Sequence, residues 1–301
     1  MAKAYFINKV LATTVVGSYP VVKGGGLRGL FDPLHAVVET AVADQIAAGI
    51  DIISDGQVRG DMIGAFASKL PGVKGQNVIG KVQPAAGPIT AGDTRSALSR
   101  TPKVKGIITG PTTLAHALHI ATPMYRNKEE LALDLAVALA AEAKSLEVAG
   151  VTLIQIDEPM FSTGVADLDV GKQAVELIAK SLTIPSCMHV CGELSGVIDR
   201  ILDINVNVLD FEFSRNPGNL DLFRSRDLAG RMIGFGCVDS TTDTVEKVAE
   251  IRARIEEGIE VFGPEAMLID PDCGMRMRTR EAASAKLKNM AVAAKEARLA
   301  L

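Results

Sequence analysis

The sequence contains no tryptophan and only three tyrosines among its 301 residues. Its 32 basic and 36 acidic residues give a net charge of −4, and no block of like charges interrupts the mixture. Proteins that bind nucleic acids or anionic membranes concentrate basic residues, so the charge pattern supports neither function. No apolar run reaches the roughly 20 residues that cross a bilayer, and the first ten residues lack the apolar core of a signal peptide. We expect no nucleic-acid or membrane partner and a cytoplasmic location.

Cysteine is also scarce, with four residues at positions 187, 191, 237 and 273. So few cysteines in a chain of this length, without export signals, are poor material for a disulfide framework. The sequence also has no internal repeat and no glycine-rich dinucleotide motif after its first predicted strand. Metal binding or catalysis is the better explanation for some of these cysteines.

Short β-branched runs alternate with longer amphipathic stretches from one end of the chain to the other. Strands separated by helices pair in parallel through crossover connections, and eight such units in about 300 residues favour a closed barrel over an open sheet. We therefore predict an α/β fold, a (β/α)8 TIM barrel, as one domain over residues 1–301 with a hairpin excursion around residues 72–100. The eight predicted strands are residues 11–16, 50–54, 104–109, 152–156, 184–190, 206–211, 232–238 and 267–269.

In this architecture the chemistry lies at the C-terminal ends of the strands, and four metal-ligating side chains occur there. His189 and Cys191 end the fifth predicted strand, and residues two apart in a strand point to the same side. Glu212 ends the sixth strand and Cys273 ends the eighth. Two thiolates, one imidazole and one carboxylate form a ligand set for tetrahedral Zn²⁺. The sequence therefore predicts a zinc site at the mouth of the barrel.

The charge of this ligand set indicates the chemistry that the site supports. Two thiolates and one carboxylate around Zn²⁺ leave a net charge of about −1, which is unfavourable for making hydroxide. The set suits activation of a substrate thiol, whose pKa falls from roughly 8.5 to below neutrality when zinc binds it. An activated thiol that stays electron-rich attacks a methyl carbon. The ligand set therefore predicts methylation of a thiol.

The same segments resemble the catalytic barrel of the cobalamin-independent methionine synthase family. The resemblance is carried by His189-x-Cys191, by Glu212 with Ser214-Arg215, and by Pro271–Gly274, together with residues 16–20, 110–113 and 155–159. It covers nearly the whole chain, which is only as long as the C-terminal half of the long enzymes. The chain therefore resembles the short, stand-alone form from archaea and anaerobic bacteria. The resemblance implies a homocysteine S-methyltransferase that forms methionine.

The resemblance also implies roles for individual residues. Zn²⁺ would be held by His189, Cys191, Glu212 and Cys273. Asp157 would receive the amino group of homocysteine, with Glu158 beside it. Gly17 and Ser18 would hold the substrate carboxylate through backbone N–H groups. Gln57 stands where the family has a glutamate, and a neutral amide offers less charge to an ammonium group. The predicted substrate contacts are Gly17, Ser18, Gln57, Asp157 and Glu158.

Two features with which the family handles folate are absent. The tryptophan expected after Gly110-Pro111 is missing, and residues 236–240 contain no histidine. Methyltetrahydrofolate needs its leaving nitrogen protonated, whereas cobalt(I) leaves a methylcorrinoid without a proton. We therefore predict a methylcorrinoid as methyl donor, either methylcobalamin or a corrinoid protein that acts as a partner. The residues predicted on the donor side are Asp239, Ser240, Arg276 and Arg278.

Two alternatives stay open. Residues 188–192 also resemble barrel methyltransferases that pass methyl groups from corrinoid proteins to coenzyme M, although the Asp157-Glu158 pair favours an amino-acid acceptor. A non-catalytic barrel with structural zinc is the second alternative, since four protein ligands are typical of structural sites. No function is assigned to His116, His119, Cys187 or Cys237.

Overall fold

The computed structural model describes residues 7–21 and 34–301, and strands and helices alternate within these ranges. The strands there are β1 (Ala12–Thr13), β2 (Val73–Lys74), β3 (Asn77–Val78), β4 (Lys105–Thr109), β5 (His119–Ile120), β6 (Leu153–Asp157), β7 (Ser186–Val190), β8 (Val208–Glu212), β9 (Met232–Gly236) and β10 (Met267–Asp270). The α-helices there are α1 (His35–Ala48), α2 (Gly64–Ala67), α3 (Ala91–Leu98), α4 (Pro111–Ala117), α5 (Lys128–Ala149), α6 (Leu168–Ser181), α7 (Ile198–Leu202), α8 (Gly218–Asp221), α9 (Val248–Phe262) and α10 (Arg280–Leu299). No helix among these residues is long and apolar enough to cross a bilayer.

Seven of the described strands form one parallel sheet in the order β1-β10-β9-β8-β7-β6-β4. From β4 to β10 the spatial order follows the chain, and β1 then pairs with β10, so the sheet curls back toward its first strand. Isolated parallel bridges join Thr14 to Ile52 and Ile53 to Val104, which places residues 52–53 between β1 and β4. The predicted α/β fold is confirmed, with seven of the described strands in one curled parallel sheet.

The second predicted strand, residues 50–54, forms only these two isolated bridges. A side chain explains why the ladder stops there. Gln45 Oε1 accepts a hydrogen bond from the backbone N–H of Ser54 at 2.9 Å, and Gln45 Nε2 donates to the Ser54 carbonyl at 3.2 Å. Because the Gln45 amide satisfies both backbone groups of Ser54, neither is available to a neighbouring strand.

One end of the curled sheet is closed by apolar side chains. The residues concerned stand at or near the first positions of their strands, and they pack together as one cluster. Polar inward-facing residues are thereby left to the middle and to the C-terminal ends of the strands. The cluster consists of Ile7, Ala12, Ile52, Leu153, Cys187, Val208, Met232 and Leu268.

The hairpin excursion is present as the antiparallel pair of β2 and β3, with β5 added in parallel to β3. After it the chain returns through α3, which the sequence pattern did not predict. Glu142 of α5 holds this return, because its carboxylate accepts hydrogen bonds from the N–H groups of Ile89 and Thr90 at 2.7 and 2.8 Å. The contact fixes the start of α3 beside the C-terminal ends of the strands.

Candidate active site

Three of the predicted metal ligands meet at the C-terminal ends of β7 and β10. His189, Cys191 and Cys273 each contribute a ligand atom, and these atoms lie within 4.8 Å of one another. Alternation along β7 turns His189 and Cys191 to the same side, and Cys273 follows β10. In residues 7–21 and 34–301 this is the one group of histidine, cysteine or acidic side chains with such a geometry.

The imidazole of His189 is oriented by a carboxylate. His189 Nδ1 is 3.0 Å from Asp210 Oδ1, and both side chains are buried. Gly234 on the next strand makes room for this carboxylate, since a Cβ there would lie 2.6 Å from Asp210 Cγ. His189 Nε2 is buried and has no hydrogen-bond partner among the described residues. A carboxylate on one ring nitrogen and an open second nitrogen form the arrangement that metal-binding histidines adopt.

The thiols next to His189 also fit a cation. Contact with Cys191, together with burial, raises the pKa of the Cys273 thiol well above its ordinary value. A divalent cation reverses this effect, because it binds thiolates and displaces their protons. Two crowded thiols and an unpartnered imidazole nitrogen therefore fit Zn²⁺.

Glu212, the fourth predicted ligand, is not part of this group. It ends β8, and its Oε2 accepts a hydrogen bond from Asn216 Nδ2 at 2.6 Å. Its carboxylate thus has a protein partner four residues along the chain. The role of Glu212 as a zinc ligand stays a prediction.

A cavity of about 610 Å³ opens directly beside the three ligands. Its volume is typical of pockets that hold ligands of cofactor size. Gly17, Glu158, Glu212, Asp239, Ser240 and Arg278 are not among the residues that line it. The predicted site residues that do line it are Ser18, Gln57, Asp157, His189, Cys191, Cys273 and Arg276.

Asp157 ends β6 and is 7% exposed. Burial raises its pKa to about 6, although His189, the hydrogen bond from Gln155 and Lys105 act in the opposite direction. The carboxyl is therefore ionised near neutral pH, and it is held in a buried position beside the metal ligands. It is placed to bind a cationic group.

Gln57 lies in a strained turn at the cavity wall. Its φ angle is 45°, a left-handed conformation that a residue other than glycine rarely adopts. Two contacts hold it: its N–H donates to Asp55 Oδ1 at 2.8 Å, and Arg276 Nη1 donates to its carbonyl at 2.9 Å. A Cβ at Gly17 would lie 2.5 Å from Ile107 Cδ1 and 2.8 Å from Gln57 Oε1, so a larger residue there would displace these two side chains. Arg276, predicted on the donor side, therefore holds the turn that carries Gln57, a predicted substrate contact.

Asp55, beside Gln57, is fully engaged with the protein. Its Oδ1 accepts from Gln57 and its Oδ2 accepts from Thr94 Oγ1 at 3.1 Å, while burial raises its pKa to about 6. The carboxyl thus ties the turn to α3.

Glu158 has its carboxylate directed at α4 and not at the cavity. It accepts hydrogen bonds from the N–H groups of Thr112 and Thr113 at 2.9 and 2.8 Å and from Thr113 Oγ1 at 2.7 Å. Burial raises its pKa to about 7. The structure thus gives Glu158 the task of anchoring the start of α4, and it does not bring this side chain to the predicted substrate site.

Among the remaining residues predicted on the donor side, Asp239 and Arg278 contact residues that follow β9. The Asp239 N–H donates to Glu246 Oε1 at 2.7 Å, and Asp239 Oδ1 accepts from Thr241. Ser240 is 7% exposed, and Arg278 lies 3.7 Å from Asp243. Their predicted contact with the methyl donor is without support from the cavity and stays a prediction.

Three polar residues that were not predicted as site residues, Lys105, Gln155 and Asp210, lie beneath the site. All three are buried in strands. A signal for two of them was present, because Gln155 and Asp210 stand two positions before Asp157 and Glu212 and so face the same way. Polar residues at inward positions of otherwise apolar strands need partners, which makes them candidates for supporting a site.

The chain is similar in sequence to known proteins over nearly its whole length. Residues 11–296 match the family described as the catalytic domain of cobalamin-independent synthase. A methionine synthase of Methanothermobacter marburgensis is 42% identical across 95% of this chain and 100% of that protein. A methionine synthase of Methanocaldococcus jannaschii is also 42% identical, across 95% of this chain and 99% of that protein.

Solved structures support the fold. The structure of a B12-independent methionine synthase from Shewanella sp. W3-18-1 superimposes with a TM-score of 0.83 at 23% identity, covering 97% of this chain and 100% of that one. A structure described as a vitamin-B12-independent methionine synthase from Listeria monocytogenes gives a TM-score of 0.78 at 22% identity.

Proposed function

The chain belongs to the family of cobalamin-independent synthase catalytic domains, and on this premise we propose that it transfers a methyl group to the thiol of homocysteine to form methionine. The prediction of an enzyme, a zinc-dependent homocysteine S-methyltransferase of the methionine synthase type, is confirmed by relatives that are 42 to 44% identical. The same relatives exclude the alternative of a non-catalytic barrel. The observation that carries the proposal is the meeting of His189, Cys191 and Cys273 beside the buried carboxylate of Asp157.

The predicted methyl donor is wrong. A match to a cobalamin-independent family over residues 11–296 excludes methylcobalamin, a corrinoid-protein partner and the alternative of a corrinoid-dependent enzyme that acts on coenzyme M. The prediction depended on a missing tryptophan and a missing histidine. The absence of these two side chains does not exclude methyltetrahydrofolate, because other residues of the cavity can contact a folate and deliver a proton.

The residues at the cavity support a division of tasks. When bound, Zn²⁺ supplies Lewis-acid activation that lowers the pKa of a thiol from its usual value of about 8.5. His189, Cys191 and Cys273 would hold the ion, with Glu212 the predicted fourth ligand. Asp210 fixes the ring of His189 through Nδ1, so that Nε2 would face the ion.

The amino-acid end of homocysteine fits the cavity wall beside the three candidate ligands, where Asp157 is the register partner of His189. Asp157 would pair with the ammonium group, which favours an ionised carboxylate in a buried setting. Ser18 lines the same wall and, with Gly17, would receive the substrate carboxylate. Gln57 would add a neutral acceptor oxygen to the ammonium contacts.

The methyl donor that we propose is methyltetrahydrofolate. The cavity of about 610 Å³ is lined by Phe66, Ile89 and Thr90 as well as by the candidate metal ligands, and this volume leaves room for a second substrate beside homocysteine. This volume supports a large second substrate, and the apolar side chains of the cavity suit a flat heteroaromatic ring. The leaving nitrogen requires a proton, and the acidic residue Asp93 on this wall is engaged in an ion pair with Arg59 Nε at 2.5 Å.

The fold supports three further parts of the proposal. The bridges of Ile52 and Ile53 support a closed (β/α)8 barrel, and one curled sheet supports a single domain over residues 1–301. Two relatives that align over 99 to 100% of their own length support the short, stand-alone form. A cytoplasmic location stays a prediction.

The test is methionine synthesis by zinc-loaded protein. Homocysteine and methyltetrahydrofolate without cobalamin are expected to give methionine. A Cys273→Ser variant is expected to lose both zinc and activity, since an alcohol is a poor zinc ligand. Failure of the zinc-loaded parent protein to form methionine from this pair would contradict the proposal.

A further inference from the structure

Two buried residues beneath Asp157 form a hydrogen-bonded chain that ends on its carboxylate. Lys105 Nζ donates to Gln155 Oε1 at 2.5 Å. Gln155 Nε2 donates to Asp157 Oδ1 at 2.7 Å and to the carbonyl oxygen of Val16 at 2.7 Å. Gln155 has no exposed surface, and Lys105 is 2% exposed. Both N–H groups of the Gln155 amide and its oxygen are therefore engaged.

The chemistry of these partners fixes which way the Gln155 amide points. An ammonium group only donates, so Lys105 requires Oε1, and a carbonyl only accepts, so Val16 requires Nε2. A reversed amide would set its oxygen against two acceptors and its N–H groups against an ammonium group, all of them buried. Lys105 and the Val16 carbonyl together determine that an N–H group faces Asp157.

This arrangement assigns separate tasks to the two oxygens of Asp157. Oδ1 is occupied by Gln155, whereas Oδ2 has no protein partner within residues 7–21 and 34–301. Asp157 lines the cavity, but neither Gln155 nor Lys105 does. Lys105 and Gln155 therefore act through Asp157 and do not touch a bound substrate.

We propose that Lys105 and Gln155 are positioning residues that orient Asp157 so that its Oδ2 receives the amino group of the substrate. The inference rests on the proposed function, since it takes Asp157 as the group that binds the ammonium of homocysteine. Lys105 extends from β4 and Gln155 stands in β6, so the orientation of one carboxylate depends on two neighbouring strands.

The experiment compares homocysteine with 4-mercaptobutanoate, which has the same thiol and carboxylate but no amino group. KM and kcat are measured for homocysteine, and the inhibition constant is measured for 4-mercaptobutanoate, in Gln155→Leu and Lys105→Met. We expect the KM for homocysteine to rise at least tenfold in both variants, with a smaller change in kcat. The inhibition constant of 4-mercaptobutanoate is expected to change less than threefold. Damage to the fold alone would weaken both ligands alike.

Lys286→Met is the matched control. Lys286 is also fully buried, and its Nζ donates to Glu246 Oε2 at 2.6 Å, but it does not line the cavity. This variant is expected to be less stable than the parent, but its ratio of the homocysteine KM to the 4-mercaptobutanoate inhibition constant is expected to equal that of the parent. Zinc content is measured in every variant. Lys105→Arg retains a donor toward Gln155, so its ratio of the two constants is expected to lie between those of Lys105→Met and the parent.

Asp157→Asn separates failure of this inference from failure of the proposed function. If Asp157→Asn leaves the ratio of the homocysteine KM to the 4-mercaptobutanoate inhibition constant unchanged, Asp157 does not bind the amino group, and the positioning inference fails, whereas the proposed function fails only if the parent protein forms no methionine. If Asp157→Asn abolishes the preference for homocysteine while the Gln155 and Lys105 variants keep it, the positioning inference alone is overturned.

Discussion

Asp157→Asn is expected to stabilise the protein while it weakens substrate binding. Burial raises the pKa of Asp157 from 3.8 to about 6, so the ionised carboxylate is less favourable in the folded chain than in the unfolded chain. At 1.36 kcal/mol for each pH unit, this difference corresponds to about 3 kcal/mol at pH 7. Asparagine is neutral and of the same size, and its oxygen still accepts from Gln155.

The sign of the effect depends on pH. Between pH 4 and 6 the folded protein keeps a proton on Asp157 that the unfolded chain has released, so the contribution of this residue to stability falls as pH rises through this interval. Below pH 4 the carboxyl is neutral in both states. The stabilisation by asparagine is therefore expected to be near zero at pH 4 and to reach about 3 kcal/mol at pH 7, equivalent to about 5 °C or more in Tm.

The same substitution removes the charge that pairs with the substrate ammonium. Loss of one partner of a buried ion pair costs about 2 kcal/mol or more, so the KM for homocysteine is expected to rise by about 30-fold or more. Thermal unfolding at several pH values and steady-state kinetics measure the two effects. A variant that is less stable than the parent at pH 7, or a gain in stability that does not change with pH, would refute the reasoning.

Three further predictions concern the support of the site. Asp210→Asn is expected to lower zinc affinity by about 10- to 100-fold, measured by chelator competition, because His189 loses the carboxylate that orients it; unchanged affinity would contradict this role. Gly110→Ala is expected to lower Tm, since its Cβ would lie 2.2 Å from Glu158 Cδ, and an unchanged Tm would show that the start of α4 adjusts. Glu212→Gln is expected to weaken zinc less than Cys273→Ser does, and equal losses would indicate that Glu212 is a full ligand.

The sequence was sufficient to predict the alternating fold and the meeting of three of the four predicted metal ligands, whereas Glu212 is not part of that group. The period-two pattern of β7 places His189 and Cys191 on one side whatever the rest of the chain does. Cys273 joins them because parallel strands end at the same edge of a sheet. These predictions depend on local geometry and on a rule of topology, which is why they hold without contacts between distant side chains.

The parts that the sequence could not predict depend on such contacts. Whether Glu158 faces the cavity or α4 is decided by the N–H groups of Thr112 and Thr113, which lie more than 40 positions earlier in the chain. The place of Arg276 is decided by the carbonyl of Gln57, which belongs to a strained turn that no residue pattern reveals. The prediction of a methylcorrinoid donor was wrong because it depended on side chains that are missing, and a missing side chain does not identify a substrate.

The layer of residues beneath the site explains how the fold holds its polar groups in place. The inner face of a curled parallel sheet is ordinarily filled by branched apolar side chains, but here Lys105, Gln155, Asp210 and Asp270 occupy buried positions in the strands. Burial and the neighbouring Asp210 raise the pKa of Asp270 well above its ordinary value, which favours the neutral form of this carboxyl. Lys105 is then the cation that offsets the ionised carboxylates around it. Replacing this layer with apolar residues would remove the groups that orient both His189 and Asp157. Burial of these polar groups is unfavourable for stability, but it holds the predicted metal and substrate positions in place.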